Sequence, residues 1–184
     1  RDWSSDVCSS DLRLMTIGAE TPGAVEAITA LTARGVVCSI GHSRPGRDEF
    51  ERATAAGARM VTHLFNAMSG LHHRDPGLAA WALSSDLWCG LVADGVHVHP
   101  DMIELAFRIA AERIVLVSDS VARFPGVEVR DGAPRLPDGT IAGSVLTLDR
   151  AVATCVSVGV APSVALRAAS LAPATVIGAH DRGL

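Results

Sequence analysis

Ionisable side chains recur in this sequence at the ends of short apolar runs. His42 follows Val36–Ile40, His63 falls near the end of Arg59–Leu64, Asp94 and His97 follow Trp88–Ala93, and Asp119 follows Ile114–Ser118. One histidine at such a place is more often a satisfied structural residue than a ligand. Two histidines and two aspartates at four successive places are harder to explain by packing, because buried elements rarely carry ionisable groups. His42 and His63 suit a borderline divalent metal such as Zn²⁺ or Fe²⁺, bound through neutral imidazole. Metal-assisted hydrolysis also needs a carboxylate to move the proton of the attacking water, and Asp119 can serve. His97 can orient or polarise a substrate carbonyl.

These residues come to one place only if the apolar runs are parallel strands. The pattern from Leu12 onward predicts strands at Leu12–Ile17, Val36–Ile40, Arg59–Leu64, Trp88–Ala93 and Ile114–Ser118. Helices are expected at Pro22–Arg34, Arg47–Ala56, Gly77–Ser84, Pro100–Ala111, Thr147–Val158 and Pro162–Ile177. Pro22 and Pro100 stand where a helix accepts proline in its first turn, and Gly35 and Gly57 where helices are capped. The runs are short and almost wholly apolar, as parallel strands buried on both faces are. Their spacing of about 23–30 residues fits a tightly built (β/α)₈ barrel at roughly 30 residues per unit, although a doubly wound sheet gives similar spacing. The fold class is therefore α/β, a partial (β/α)₈ (TIM) barrel of about five parallel strands. The segment from Gly126 to Ser144 interrupts the rhythm, and turns at Asp131-Gly132 and Asp138-Gly139 predict a small β-hairpin there.

Composition narrows the class. The chain has 184 residues, 48% hydrophobic and 20% charged, with a formal net charge of −4 and no lysine. This is globular rather than disordered, and it offers no basic patch for nucleic acid. No apolar run approaches the ~20 residues that span a bilayer. The four cysteines, Cys8, Cys38, Cys89 and Cys155, are scattered and form no Cys-x-x-Cys pair, which suits reduced thiols in a cytoplasmic protein. Residues 1–11, rich in Ser and Asp, do not resemble the rest of the chain. They read as a non-native or disordered leader, with 12–184 forming the barrel portion.

Six segments occur in order: Gly41-His42-Ser43, Thr62-His63-Leu64-Phe65-Asn66-Ala67-Met68, Arg74-Asp75-Pro76-Gly77, Ala93-Asp94-Gly95-Val96-His97, Leu116-Val117-Ser118-Asp119 and Ile141-Ala142-Gly143-Ser144-Val145-Leu146-Thr147. Together they closely resemble the N-acetylglucosamine-6-phosphate deacetylases of the amidohydrolase superfamily. The resemblance implies that His42 and His63 bind the metal and that Asp119 activates the water and then protonates the departing amine. It implies that Asn66 and Ala67 contact the sugar phosphate, that His97 binds substrate, and that Arg74 reaches the phosphate in a neighbouring subunit, hence a homodimer. Ile141, Ala142 and Gly143 match a stretch that closes over the substrate. Glu20, tempting as a metal carboxylate, matches the barrel framework instead. His72, His73, His99 and His180 match no ligand and read as surface or loop residues.

The sequence also departs from the pattern. The family's early His-x-His segment and its His-Leu-Glu-Gly-Pro segment, whose Glu is the third protein ligand, do not occur here, nor do strands of the small β-sandwich domain. The expectation is a barrel portion that does not deacetylate by itself, from a parent that releases acetate from N-acetylglucosamine 6-phosphate. The alternatives are a parent acting on another N-acetylated sugar phosphate, such as the galactosamine epimer, and a non-catalytic metal-binding remnant.

Overall fold

A computed structural model describes residues 12–121 and 126–182. The leader, with Trp3 and Cys8, lies outside the described residues. Five strands, β1 (Leu14–Ile17), β2 (Val37–Ile40), β3 (Ala58–Val61), β4 (Trp88–Leu91) and β5 (Ile114–Leu116), form one sheet in the order β1-β2-β3-β4-β5. Every neighbouring pair is parallel, as the βα alternation predicts.

The helices α1 (Ala24–Thr32), α2 (Arg47–Ala55), α3 (Leu78–Leu83) and α4 (Pro100–Ala110) alternate with the strands. They are followed by α5 (Leu148–Ser157), α6 (Pro162–Ala169) and α7 (Leu171–Val176). Apolar periodicity decides which face each buries. In α4, Ile103, Ala106, Phe107 and Ala110 are all buried, the i, i+3, i+4, i+7 stripe of a core-facing helix. On the helix side of the sheet, Cys38, Ile40, Val61, Cys89, Leu91, Ile114 and Leu116 join Ile28, Phe50, Leu78, Ile103 and Phe107 in the main core.

The other face of the sheet is layered. Leu14, Val37, Met60, Trp88 and Val115, near the strand starts, pack with Ala172 and Val176 of α7 in a second apolar cluster. Above them comes a layer of hydroxyls. Thr62 Oγ1 lies 2.9 Å from Thr16 Oγ1 and 2.7 Å from Ser39 Oγ. Gly41 sits against this layer, where an added Cβ would lie 2.7 Å from Thr62 Cβ and 2.8 Å from Thr16 Cγ2. Only glycine lets the strand ends converge so closely.

Two expectations are corrected. Pro22 is not in the first turn of a helix: Ala24 N–H donates to Thr21 O at 3.0 Å and Gly23 has φ 82°. Pro22-Gly23 is thus the centre of a type II turn, for which Pro then Gly is the favoured pair, and α1 starts only at Ala24. The helix expected over Pro162–Ile177 is two helices that break at Ser170, with φ −130° and ψ −74°. The cause is Pro173, which has no N–H to give the carbonyl four residues earlier and whose ring would strike it.

The hairpin is present as β6 (Glu128–Arg130) and β7 (Ala133–Arg135), antiparallel. Asp131 and Gly132 between them have φ 51° and 81°, as a type I′ turn requires at both centres.

Candidate active site at the strand ends

β1 and β2 end where their apolar runs do, whereas β3, β4 and β5 stop two or three residues earlier. β3 ends at Val61, although Thr62 N–H still donates to Ile40 O at 2.9 Å. The chain then turns sharply, because His63 has φ 34°, Phe65 75° and Ala67 48°. Among the described residues six non-glycine residues have positive φ: these three, His42 (49°), Asp119 (49°) and Asp131 in the hairpin. Left-handed backbone is costly for a residue with a Cβ and persists only where its surroundings over-determine it. Five of the six stand just beyond β2, β3 and β5, where the candidate residues are.

The turns after β2 and β3 bring His42 and His63 together. Their Nε2 atoms lie 2.9 Å apart and the rings meet edge to face, with centroids 4.7 Å apart. Without a cation between them, one nitrogen must donate to the other. Both could instead lie ~2.0–2.1 Å from a common point, with the two bonds about 90° apart. Burial holds His63 below its ordinary value of 6.5, with the nearby His42 adding to the effect and Asp119 opposing it. The ring is therefore neutral near pH 7, the form that binds metals. His63 Nδ1 is buried and has no hydrogen-bond partner among the described residues. The donor set fits two positions of a metal site. Among the described residues no group of three or more His, Cys, Asp or Glu could hold an ion.

Asp119 belongs to the turn after β5. Its carbonyl accepts Ser144 N–H at 2.8 Å, and the Ser144 hydroxyl donates to Ser118 O. Gly143 packs against the same turn: an added Cβ would lie 2.9 Å from Asp119 O. Ala142 N–H donates to Pro134 O, and Ile141 pairs with Arg135. The Ile141–Gly143 stretch therefore joins the hairpin to the Asp119 turn. The charge of Asp119 reaches both His63 and His97.

His97 is set by Asp94. Asp94 Oδ1 accepts the N–H groups of Val96 (2.9 Å) and His97 (2.7 Å), and Oδ2 lies 2.6 Å from His97 Nδ1. This bond raises His97 above the ordinary histidine value, against an opposing effect of burial. Asp94 moves the other way: burial alone would raise it, but the bonds from His97 and Val96 hold it lower. His97 Nδ1 is thus engaged by Asp94.

Asn66 and Ala67 lie in the left-handed turn beside His63. Asn66 Nδ2 donates to Leu64 O at 3.3 Å, and Ala67 O accepts Ser43 N–H at 3.1 Å. Arg74 is not brought to the histidine pair. It stands on an exposed loop, with Nη1 2.8 Å from His73 Nε2. Of the histidines read as surface or loop, His99 is the N-cap of α4 and accepts from Asp101 N–H at 3.2 Å.

Sequence reasoning missed the serines. Ser43 is 1% exposed and Ser144 fully buried, and each knits a strand end to its neighbour. The available signal was position: one directly follows the Gly-His pair and the other directly follows Gly143.

Comparison with known proteins adds the family context. No protein-family model matches the chain. It is 37% identical to the N-acetylgalactosamine-6-phosphate deacetylase of Escherichia coli O157:H7 over 94% of this chain and 49% of that protein. It is 36% identical to the N-acetylglucosamine-6-phosphate deacetylase of Bos taurus over 94% of this chain and 47% of the relative. The crystal structure of the Thermotoga maritima N-acetylglucosamine-6-phosphate deacetylase superposes with a TM-score of 0.88 at 32% identity, covering 95% of this chain and 52% of that one. The chain is a homologue of these deacetylases. A further deacetylase structure, a Mycobacterium smegmatis mutant in complex with N-acetyl-D-glucosamine-6-phosphate, matches with a TM-score of 0.84 at 32% identity over 90% of this chain and 49% of that one. The chain spans about half the length of the curated deacetylases it matches. Among the described residues, no helix is long and apolar enough to cross a membrane.

Proposed function

We propose that the protein carrying this chain hydrolyses the acetamide of an N-acetylated amino-sugar 6-phosphate, with N-acetylglucosamine 6-phosphate the first candidate, and releases acetate and the free amine. The observation that supports it most is the pair of imidazole nitrogens 2.9 Å apart at the strand ends, within reach of the Asp119 charge, in a homologue of deacetylases. His42 and His63 would hold a divalent cation, Zn²⁺ or Fe²⁺, which would supply Lewis acidity to the amide carbonyl and to an attacking water. Asp119 takes the proton of that water and returns it to the nitrogen as the C–N bond breaks. Such general acid–base transfer typically contributes 10²–10⁴-fold.

His97, held through Nδ1 by Asp94, presents Nε2 to the substrate. The turn at Asn66 and Ala67 contacts the phosphate. Ile141, Ala142 and Gly143 close over the sugar, and Gly143 against the Asp119 turn keeps that cover beside the proton carrier. Arg74, exposed and remote from the histidine pair, fits a reach to the phosphate of a partner in a homodimer. Among the described residues no group of three or more His, Cys, Asp or Glu could hold an ion, and the 184-residue chain by itself is expected not to turn over. Residues 1–11 are proposed as a leader foreign to the barrel, and the compartment as the cytoplasm.

The identity with the Escherichia coli relative supports the galactosamine epimer as a second reading. Acetate release from both epimers, with added Zn²⁺ or Fe²⁺, tests the proposal. Turnover of either, falling at least 10²-fold in Asp119→Asn, is expected. Activity on neither, or an Asp119→Asn variant as active as the parent, contradicts it.

A further inference from the structure

The turn that presents His42 is left-handed and needs something to hold it. Glu20, just past the end of β1, reaches across to it. Glu20 Oε1 accepts Arg44 N–H at 2.8 Å, and Oε2 accepts the hydroxyl of Ser43. Ser43 Oγ in turn accepts Ala19 N–H at 3.0 Å, so its own proton is free for Glu20. Ser43 N–H donates to Ala67 O at 3.1 Å, and Ser43 and Met68 pair as an isolated parallel bridge. One carboxylate and one buried hydroxyl thus tie the end of β1 to both residues that follow His42, and the Ser43 main chain ties the same turn to the one after β3.

We propose that Glu20 is a positioning residue for His42: its carboxylate clamps Ser43 and Arg44, and so fixes the turn that aims the His42 imidazole at His63. The role calls for a carboxylate. Both of its oxygens face donors, and an amide would set an NH₂ against one of them. An aspartate, one methylene shorter, cannot span the two. As a further role toward the cation, the inference rests on the functional reading above.

Two measurements separate the inference from that reading. The first needs no cation: the His42 ring resonances of the metal-free protein, followed by NMR in the wild type, Glu20→Gln and Ser43→Ala. Sharp His42 signals that shift or broaden in both variants, while those of His97 stay in place, are expected. Unchanged His42 signals in Glu20→Gln overturn the inference, whether or not the protein binds metal.

The second is Zn²⁺ affinity by chelator competition. Outer partners of metal ligands typically affect affinity by about 10–100-fold, and a loss of that size is expected in each single variant. The double variant should lose little more than either single one, since both break the same clamp. A wild type that binds no Zn²⁺ defeats the metal reading and leaves the positioning of His42 to be decided by the NMR result. A wild type that binds, beside a Glu20→Gln variant that binds equally well, overturns the inference alone.

Discussion

Asp94 and His97 show how far a single pair can be read. The pattern Asp-Gly-x-His was visible in the sequence. What residue types could not give is the direction of each group's shift, because that depends on burial and on three hydrogen bonds to one carboxylate. The signs are clear. His97 is raised above its ordinary 6.5, so its contribution to stability is complete below that value and is lost as pH rises through the folded-state value. Asp94 is lowered from its ordinary 3.8, so its contribution is complete above that value and is lost as pH falls through the folded-state value. The pair is therefore worth most between pH 3.8 and 6.5. Asp94→Asn should cost about 1–3 kcal/mol in denaturant unfolding at pH 5.5, and should bring His97 back toward 6.5 in an NMR titration. An unmoved His97 would show that the pair does not set its charge.

At the scale of elements, the sheet was legible because buried parallel strands are written as apolar runs and amphipathic helices as a 3.6-residue period. All five strands and their parallel order follow from that alternation. The split between α6 and α7 was not foreseen, although Pro173 stands in the sequence, because an Ala-rich stretch keeps its apolar period across the break. Nor were the left-handed turns after β2, β3 and β5 legible, since a positive φ at His42 or Phe65 is imposed by neighbouring strands and not by the residue itself. Gly41 carries a test of how tightly those strand ends are drawn together. An added methyl would lie 2.7 Å from Thr62 Cβ and 2.8 Å from Thr16 Cγ2, so Gly41→Ala should destabilise by about 1–3 kcal/mol through overpacking. Gly70→Ala, which meets nothing within 4 Å, should change unfolding little. Equal effects of the two substitutions would contradict the close convergence around the hydroxyl layer.

At the scale of the whole molecule, the sheet has a division of labour along the strands. Its apolar start is covered by α7, its middle is lined by Thr16, Ser39 and Thr62, and its far end gathers His42, His63 and Asp119. The homologous deacetylases are about twice as long, and in the function proposed above His42 and His63 are the two ligands that this chain contributes. The measurement that tests this most directly is anomalous diffraction at the zinc edge from crystals of the Zn²⁺-loaded protein that carries this chain. The account predicts one strong peak about 2.0–2.1 Å from the Nε2 atoms of both His42 and His63, lost in a His42→Ala, His63→Ala double variant. Zinc bound elsewhere, or no peak between these two rings, would contradict it.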